Sequence, residues 1–309
     1  MRRVRRAIRS RFCVVFLSWL DVDSSPMRKE IVALKQRILA FPRLLRTRGP
    51  EKDVPKRWVL YAPGLLSRWF SIFRRRPLRE HGEFVRADVG GQLFLWPRNC
   101  AIRPFWFHLS EILIANHPHQ YNYGPTKIGP EDVVLDIGAC EGSFSALVTA
   151  RCKRVVVVEP SPSMCRLIEE LFRLRKERCP QILRCLLGSA PGSAFFLEDA
   201  DNPGASRITA DPAPGALEVP VRTLDELVKT MEDKPTFIKC DAEGAEMEIF
   251  SGGKEFLKEF HPKLAITTYH NDRDYADLHG LLTGLGYRVM GKGLQCHHQR
   301  YRVVMIHAW

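Results

Sequence analysis

The chain has 309 residues, 45% of them apolar, enough for a buried core in one large or two modest domains. No apolar run approaches the roughly 18 residues of a membrane-spanning helix, so a helical span is not expected. The formal net charge of +12 is uneven: residues 1–80 hold 21 Lys/Arg against 6 Asp/Glu, and the remaining residues hold 26 against 29.

Arg2, Arg3, Arg5, Arg6, Arg9 and Arg11 precede a short apolar run, Phe12 to Leu20. That is how a signal peptide begins, but Asp21-Val22-Asp23 follows where a small-residue cleavage site would stand, so export is not expected. Met27 offers an alternative start. Behind it Ile31, Leu34, Ile38 and Phe41 recur at helical spacing, interleaved with Lys35, Arg37 and Arg43. Farther on, Trp69-Phe70-Ser71-Ile72-Phe73 runs into Arg74-Arg75-Arg76. Aromatics mixed with arginines suit an anionic surface (membrane headgroups, nucleic acid or an acidic glycan) or an ordinary solvated basic face. Residues 1–80 therefore read as a basic extension, partly helical or disordered, 81–125 as an accessory segment, and 126–309 as an α/β domain.

In that domain the apolar run Val133-Val134-Leu135 ends on Asp136 and passes into Gly138-Ala139-Cys140-Glu141-Gly142. A helix over 144–152 follows, then a second run, Val155 to Val158, ending on Glu159. Buried parallel strands read as such near-continuous apolar runs, and two with a helix between them make a βαβ unit. Ser161-Pro162 fits an N-cap with proline at the first helical position, opening a helix to about 178. Strands are predicted at 181–187, 194–197 and 219–222, with a Pro- and Gly-rich loop over 199–215. Thr223 caps a helix over 224–231. A strand over 236–240 ends on Asp241, and a helix over 245–260, a strand over 263–268 and a helix over 275–285 follow. Two closing strands, 287–290 and 301–307, imply an antiparallel edge pair. The alternation predicts a doubly wound, mostly parallel sheet with helices on both faces.

Ligands of such sheets bind beyond the carboxyl ends of the strands, at the switch in strand order. Glu159 lies 23 residues beyond Asp136, close to the roughly 20 at which an acid meets a ribose diol. The loop reads D-x-G-x-x-x-G rather than G-x-G-x-x-G. A carboxylate before the first glycine would repel a pyrophosphate but suits the cationic amino-acid end of S-adenosylmethionine. Asp136 and Glu159 are thus expected to face one cavity. The fourth tip, Lys239-Cys240-Asp241-Ala242-Glu243-Gly244-Ala245-Glu246, is dense in charge. Asp241 is expected to orient a hydroxyl nucleophile or take its proton, and Glu246 to stabilise a helix start. Lys239 could anchor Asp241, hold a substrate anion or pair with a glutamate. Asp241 and Glu243 could share a divalent cation, but no complete ligand set is evident and no metal is expected. The nine cysteines lack metal spacing, and Cys140, Cys185 and Cys240 lie in or beside core strands, so they read as reduced fillers in a cytoplasmic protein.

The chain resembles the FkbM-type family of S-adenosylmethionine-dependent methyltransferases. The resemblance rests on Val134 to Gly142, Val158-Glu159-Pro160-Ser161-Pro162, Val219 to Leu227, Ile238 to Glu246 and Leu285-Gly286-Tyr287, and covers roughly residues 120–309. Tyr269-His270 and Cys296-His297-His298 also resemble patterns in some members. It implies a class I methyltransferase fold, S-adenosylmethionine as donor, and O-methylation of a sugar, glycan or secondary metabolite. Carried over by position, Asp136, Gly138 and Gly142 would line the methionine end and Glu159 would hold the ribose, with Cys140 of the same loop a further cofactor-binding candidate. Cys140 stands where the family commonly has Asn, Glu141 adds a charge, and the third strand's end lacks an acid to read adenine. Asp241 is the expected base or orienter, His270 an alternative base and Lys239 a third catalytic candidate. His297 and His298 either enter the substrate pocket or lie at the surface. The partner expected is a small-molecule or glycan acceptor, with peripheral contact to an anionic membrane open to residues 1–80. RNA methylation through the basic region is disfavoured, because the fourth tip lacks an Asn/Asp-Pro-Pro-aromatic motif and its glutamates repel phosphate. A non-enzymatic cofactor-binding module is the remaining alternative.

Overall fold

A computed structural model describes Val54 and residues 78–115, 117–199, 201–209, 211–297 and 300–309. The predicted helix behind Met27 and the Trp69–Arg76 stretch lie outside the described residues.

The first two parallel strands are β4 (Val133–Ile137) and β5 (Arg154–Val158), paired in register from Val133↔Arg154 to Ile137↔Val158. Every residue of β4 is buried, which is why its sequence carries no polar alternation. Between them runs α2 (Ser143–Val148), shorter than the predicted helix because 149–151 tighten into a 3₁₀ turn. Its N-cap is Gly142 at φ +73°, where an added Cβ would lie 2.8 Å from Ile168. Only glycine lets this loop turn and still pack on α3 (Pro162–Arg175). The Ser161 hydroxyl accepts from the Met164 amide and Pro162 fills the first turn of α3, as the sequence indicated.

The third predicted strand splits. β6 (Gln181–Leu183) stays in the main sheet, while β7 (Leu186–Leu187) leaves it for a small sheet with β10 (Leu217–Arg222), β8 (Gly192–Leu197) and β9 (Arg207–Thr209). Strand β9 falls inside the stretch expected to be loop. Thr223 closes a capping box with Glu226 at the start of α4 (Leu224–Lys229). After β11 (Phe237–Cys240) the predicted long helix is two, α5 (Glu246–Ser251) and α6 (Lys254–Phe260). The break falls at Gly252 and Gly253, where side chains would strike the Gly188 carbonyl at 2.2 Å and Leu224 at 2.6 Å.

The chain closes with β12 (Lys263–Thr267), α7 (Asp274–Gly284), β13 (Val289–His297) and β14 (Arg300–Ala308). The seven-stranded order is β6-β5-β4-β11-β12-β14-β13, parallel except where β14 inserts antiparallel between β12 and β13. The expected closing pair thus sits at the sheet's edge, β13 outermost. Both strands are longer than predicted, joined by only two residues where a loop of about ten was expected. Extension follows from Lys292, Leu294 and Val303 being buried along the pair.

Ahead of this domain stand an antiparallel sheet, β1 (Arg79–His81), β2 (Phe84–Val89) and β3 (Gln92–Pro97), and α1 (Ile102–Leu113). Trp96, Phe94, Phe105 and Leu109 form their shared, fully buried core. Packing of α1 against α2 brings the accessory segment over the strand tips. Among the described residues no helix is long and apolar enough to cross a membrane.

Candidate active site

A cavity of about 800 Å³ opens beyond the carboxyl ends of β4, β5 and β11, at the switch in strand order. Its floor is the turn after β4. Gly138 sits at φ +69°, and a Cβ there would lie 1.9 Å from the Asp241 carbonyl, so no other residue fits between the two strand tips. Cys140 is also left-handed (φ +49°), and its amide donates to Glu159 Oε2 at 2.8 Å. Glu159 Oε1 accepts from the Ser161 amide at 2.9 Å. One carboxylate at the tip of β5 thus fixes two loops while lining the cavity. Burial pushes its pKa up to about 7, although those two amides pull it down.

Asp136 and Gly142 were expected to line the methionine end, and here the structure corrects the expectation. Neither lines the cavity. Asp136 is fully buried behind the turn, accepting from the Ser145 hydroxyl at 2.7 Å and lying 3.1 Å from Lys239 Nζ. Lys239 also donates to the carbonyls of Ile137 and Gly138. Of the roles left open for Lys239, this is none of the three: it anchors the donor turn through a fourth partner, Asp136. Burial works against its charge, but Asp136 and Asp241 more than offset this and raise its pKa.

Glu141 is held in the turn, its Oε2 3.0 Å from His108 Nδ1 of α1. Burial opposes both charges, yet the pair prevails, lifting His108 to about 9 and lowering Glu141 to about 2. The wall beyond Glu159 is apolar, with Leu186, Leu187, Phe196 and Ile249 contributing. Among the described residues no acid stands beside these four in the lining.

On the other side of the turn, Asp241 Oδ2 accepts from the Tyr121 hydroxyl at 2.7 Å and Oδ1 from Thr267 Oγ1 at 3.0 Å. Burial raises its pKa, but Lys239 and His270 outweigh that, and the net shift is downward. His270, after β12, has Nε2 3.7 Å from Asp241 and 3.5 Å from Glu243, and Nδ1 3.1 Å from Glu246. Burial lowers its pKa, yet those carboxylates lift it to about 9. Glu246, fully buried in the first turn of α5, accepts from the Ala242 amide, although no side chain caps that helix.

Tyr269, beside His270 in the family-like pair, also lines the cavity, and two further lining residues carried no sequence motif: Glu111 of α1 and Tyr121. Burial pushes Glu111 up to about 8, and its Oε1 lies 3.3 Å from His119 Nδ1. The available signal was His108 and Glu111, three apart and so on one face of a largely apolar helix. His297 and His298 lie outside the described side chains.

These features suit a nucleoside-binding α/β domain: a glycine turn, an acid at the second strand tip, and a second acidic cluster one strand away. The donor set fits S-adenosylmethionine. Gly138 leaves backbone open to close approach, Glu159 offers a diol acceptor, and the apolar wall of Leu186, Leu187, Phe196 and Ile249 suits an adenine. Residues 136–289 match the methyltransferase FkbM domain, and the chain therefore carries a methyltransferase domain of that family. No curated protein matches the chain. Among solved structures it is similar to methyltransferase FkbM from Methylobacillus flagellatus KT, at 22% identity over 67% of this chain and TM-score 0.47. This chain spans 50% of that protein's length. It is also similar to magnesium protoporphyrin IX methyltransferase from Synechocystis PCC 6803 with bound SAM (14% identity, 58% of this chain, 70% of that one, TM-score 0.34). An rRNA methylase from Streptococcus thermophilus gives 11%, 59%, 86% and 0.35. These likenesses concern the fold alone.

Proposed function

We propose that the protein is an S-adenosylmethionine-dependent O-methyltransferase acting on a hydroxyl of a sugar, glycan or secondary metabolite. The observation that carries this reading is one continuous cavity with Glu159 and the Gly138 turn at one end and Asp241, Glu111 and Tyr269 at the other. S-adenosylmethionine supplies a methyl group already activated on a sulfonium. The chain's own residues then have to hold the acceptor oxygen in line at about 3 Å and take its proton. Asp241, ionised and fixed by Tyr121 and Thr267, is the orienting acceptor for the hydroxyl. Its lowered pKa makes it a poor base. Glu111, raised to about 8 beside it, has the proton affinity for that step, with His119 holding its carboxylate. Lys239 acts through the turn it braces, a positioning residue.

Acidic groups at the mouth favour a neutral, hydroxyl-bearing acceptor over a polyanion. The cysteines at 100, 140, 152, 165, 179, 185 and 240 are free, which supports the cytoplasmic location proposed from composition. Contact of residues 1–80 with an anionic membrane is proposed on charge alone. The test is a mass-spectrometric comparison of extracts incubated with donor and either wild-type protein or Asp241→Asn. A +CH₂ product on a hydroxyl that vanishes in the variant is expected. A product methylated on nitrogen or carbon, or full turnover by Asp241→Asn, would sink the proposal.

A further inference from the structure

The second acidic cluster contains more than hydroxyl-orienting groups. Asp241 at the tip of β11, Glu243 in the following turn and His270 after β12 each offer one ligand atom, and the three atoms lie within 4.8 Å of one another. Bonds of about 2.1 Å from one ion would separate its ligands by about 3 to 4.2 Å. The observed 3.5 Å (His270 to Glu243) and 3.7 Å (His270 to Asp241) fall inside that span.

An independent observation comes from the imidazole. Both ring nitrogens of His270 are shielded from solvent, and among the described residues neither has a hydrogen-bond partner in acceptable geometry. A buried polar atom left so exacts a penalty, and an ion or water is the usual remedy. Nδ1 faces the wholly buried Glu246, itself held by the Ala242 amide and Thr267. A carboxylate behind one nitrogen, with the other directed at two further carboxylates, is how a metal-binding histidine is oriented. Asp241 and Glu243 both line the cavity, so the remaining coordination positions would open toward the acceptor. Lys239 is engaged with Asp136 and the turn carbonyls.

We propose that Asp241, Glu243 and His270 form a binding site for one divalent cation of the Mn²⁺ type, with Glu246 orienting the histidine from behind. Two carboxylate oxygens with one imidazole suit Mn²⁺ and its neighbours better than an all-oxygen Ca²⁺ site. Bound there, the cation would hold the acceptor's oxygens, a role that rests on the methyl-transfer reading. Cation binding itself does not, since it is measured without donor or acceptor.

The full chain, stripped with chelator and dialysed, is titrated with MnCl₂ while free Mn²⁺ is followed by electron paramagnetic resonance. One ion per chain with a Kd below ~100 µM is expected. Pulsed resonance should show coupling to one imidazole nitrogen. His270→Ala should weaken binding at least ~10-fold and remove the coupling. Glu243→Gln, at a half-exposed turn that tolerates change, should weaken it comparably and covers the case in which His270→Ala does not fold. Glu170→Gln, at a surface pair, should bind as wild type. Absence of binding below ~1 mM, missing nitrogen coupling, or binding indifferent to Glu243→Gln overturns the proposal. Either result leaves donor binding and methyl transfer to be judged on their own assays.

Discussion

Lys239→Met isolates what braces the donor turn. The ammonium lies 3.1 Å from the carboxylate of Asp136, which has no exposed surface. At an effective dielectric near 20 that contact is worth about 5 kcal/mol before desolvation is counted. Removing one member of a buried pair leaves the other uncompensated and costs about 3–5 kcal/mol. For a domain of this size each kcal/mol is about 2–4 °C, so a fall in Tm of roughly 6–20 °C is expected at pH 7. Adding Asp136→Asn removes the stranded charge and should return at least about half of the loss, because the double variant buries no ion. Donor affinity should stay low in both variants, since neither restores the hydrogen bond to the Gly138 carbonyl. Thermal unfolding by circular dichroism reads the first effect and calorimetry the second. A single variant melting within about 2 °C of wild type, or a double variant no better than the single, would refute the reasoning.

Gly138→Ala places a Cβ 1.9 Å from the Asp241 carbonyl at φ +69°, so the two strand tips must separate. Donor binding should fall by at least ~100-fold, with a stability loss of about 1–3 kcal/mol. Calorimetry and a denaturant melt check this, and near-normal donor affinity would contradict it. Glu111 carries a pH signature. Its folded pKa of about 8 lies above the ordinary 4.5 of a glutamate, so it favours the fold fully below about pH 4.5 and loses that contribution as pH rises through 8. Glu111→Gln should therefore melt with wild type at pH 5 and above it at pH 9. If Glu111 is the base, wild-type kcat/KM rises with pH to a plateau above about 8, and the variant falls ~100-fold or more. A pH-independent difference in Tm, or an unaltered rate, excludes this role.

Much of the main sheet was legible because parallel strands buried on both faces write themselves as unbroken runs, as in Val133–Ile137 and Arg154–Val158. Caps were legible for a similar reason: Ser161-Pro162 and Thr223-x-x-Glu226 satisfy their helix ends locally. What the sequence hid depends on contacts between distant segments. Gly252-Gly253 breaks a helix because Gly188 and Leu224 press on it, and no local pattern announces that. Asp136 read as a cavity acid because its position in the motif is shared with residues that face ligand. Its true partner, Lys239, stands on the neighbouring strand in direct register with it. The acceptor end was hidden most, since Glu111 and Tyr121 come from the segment before the motifs, and His270 gains its meaning only from three carboxylates on another loop.

The proposed hold of Glu159 and the Gly138 turn on S-adenosylmethionine is tested most directly by calorimetric titration of the donor into wild-type protein and Glu159→Ala. One donor per wild-type chain, weakened at least ~30-fold in a variant whose fold by circular dichroism is unchanged, is the predicted result. No binding to wild type, or equal binding to both proteins, would contradict it.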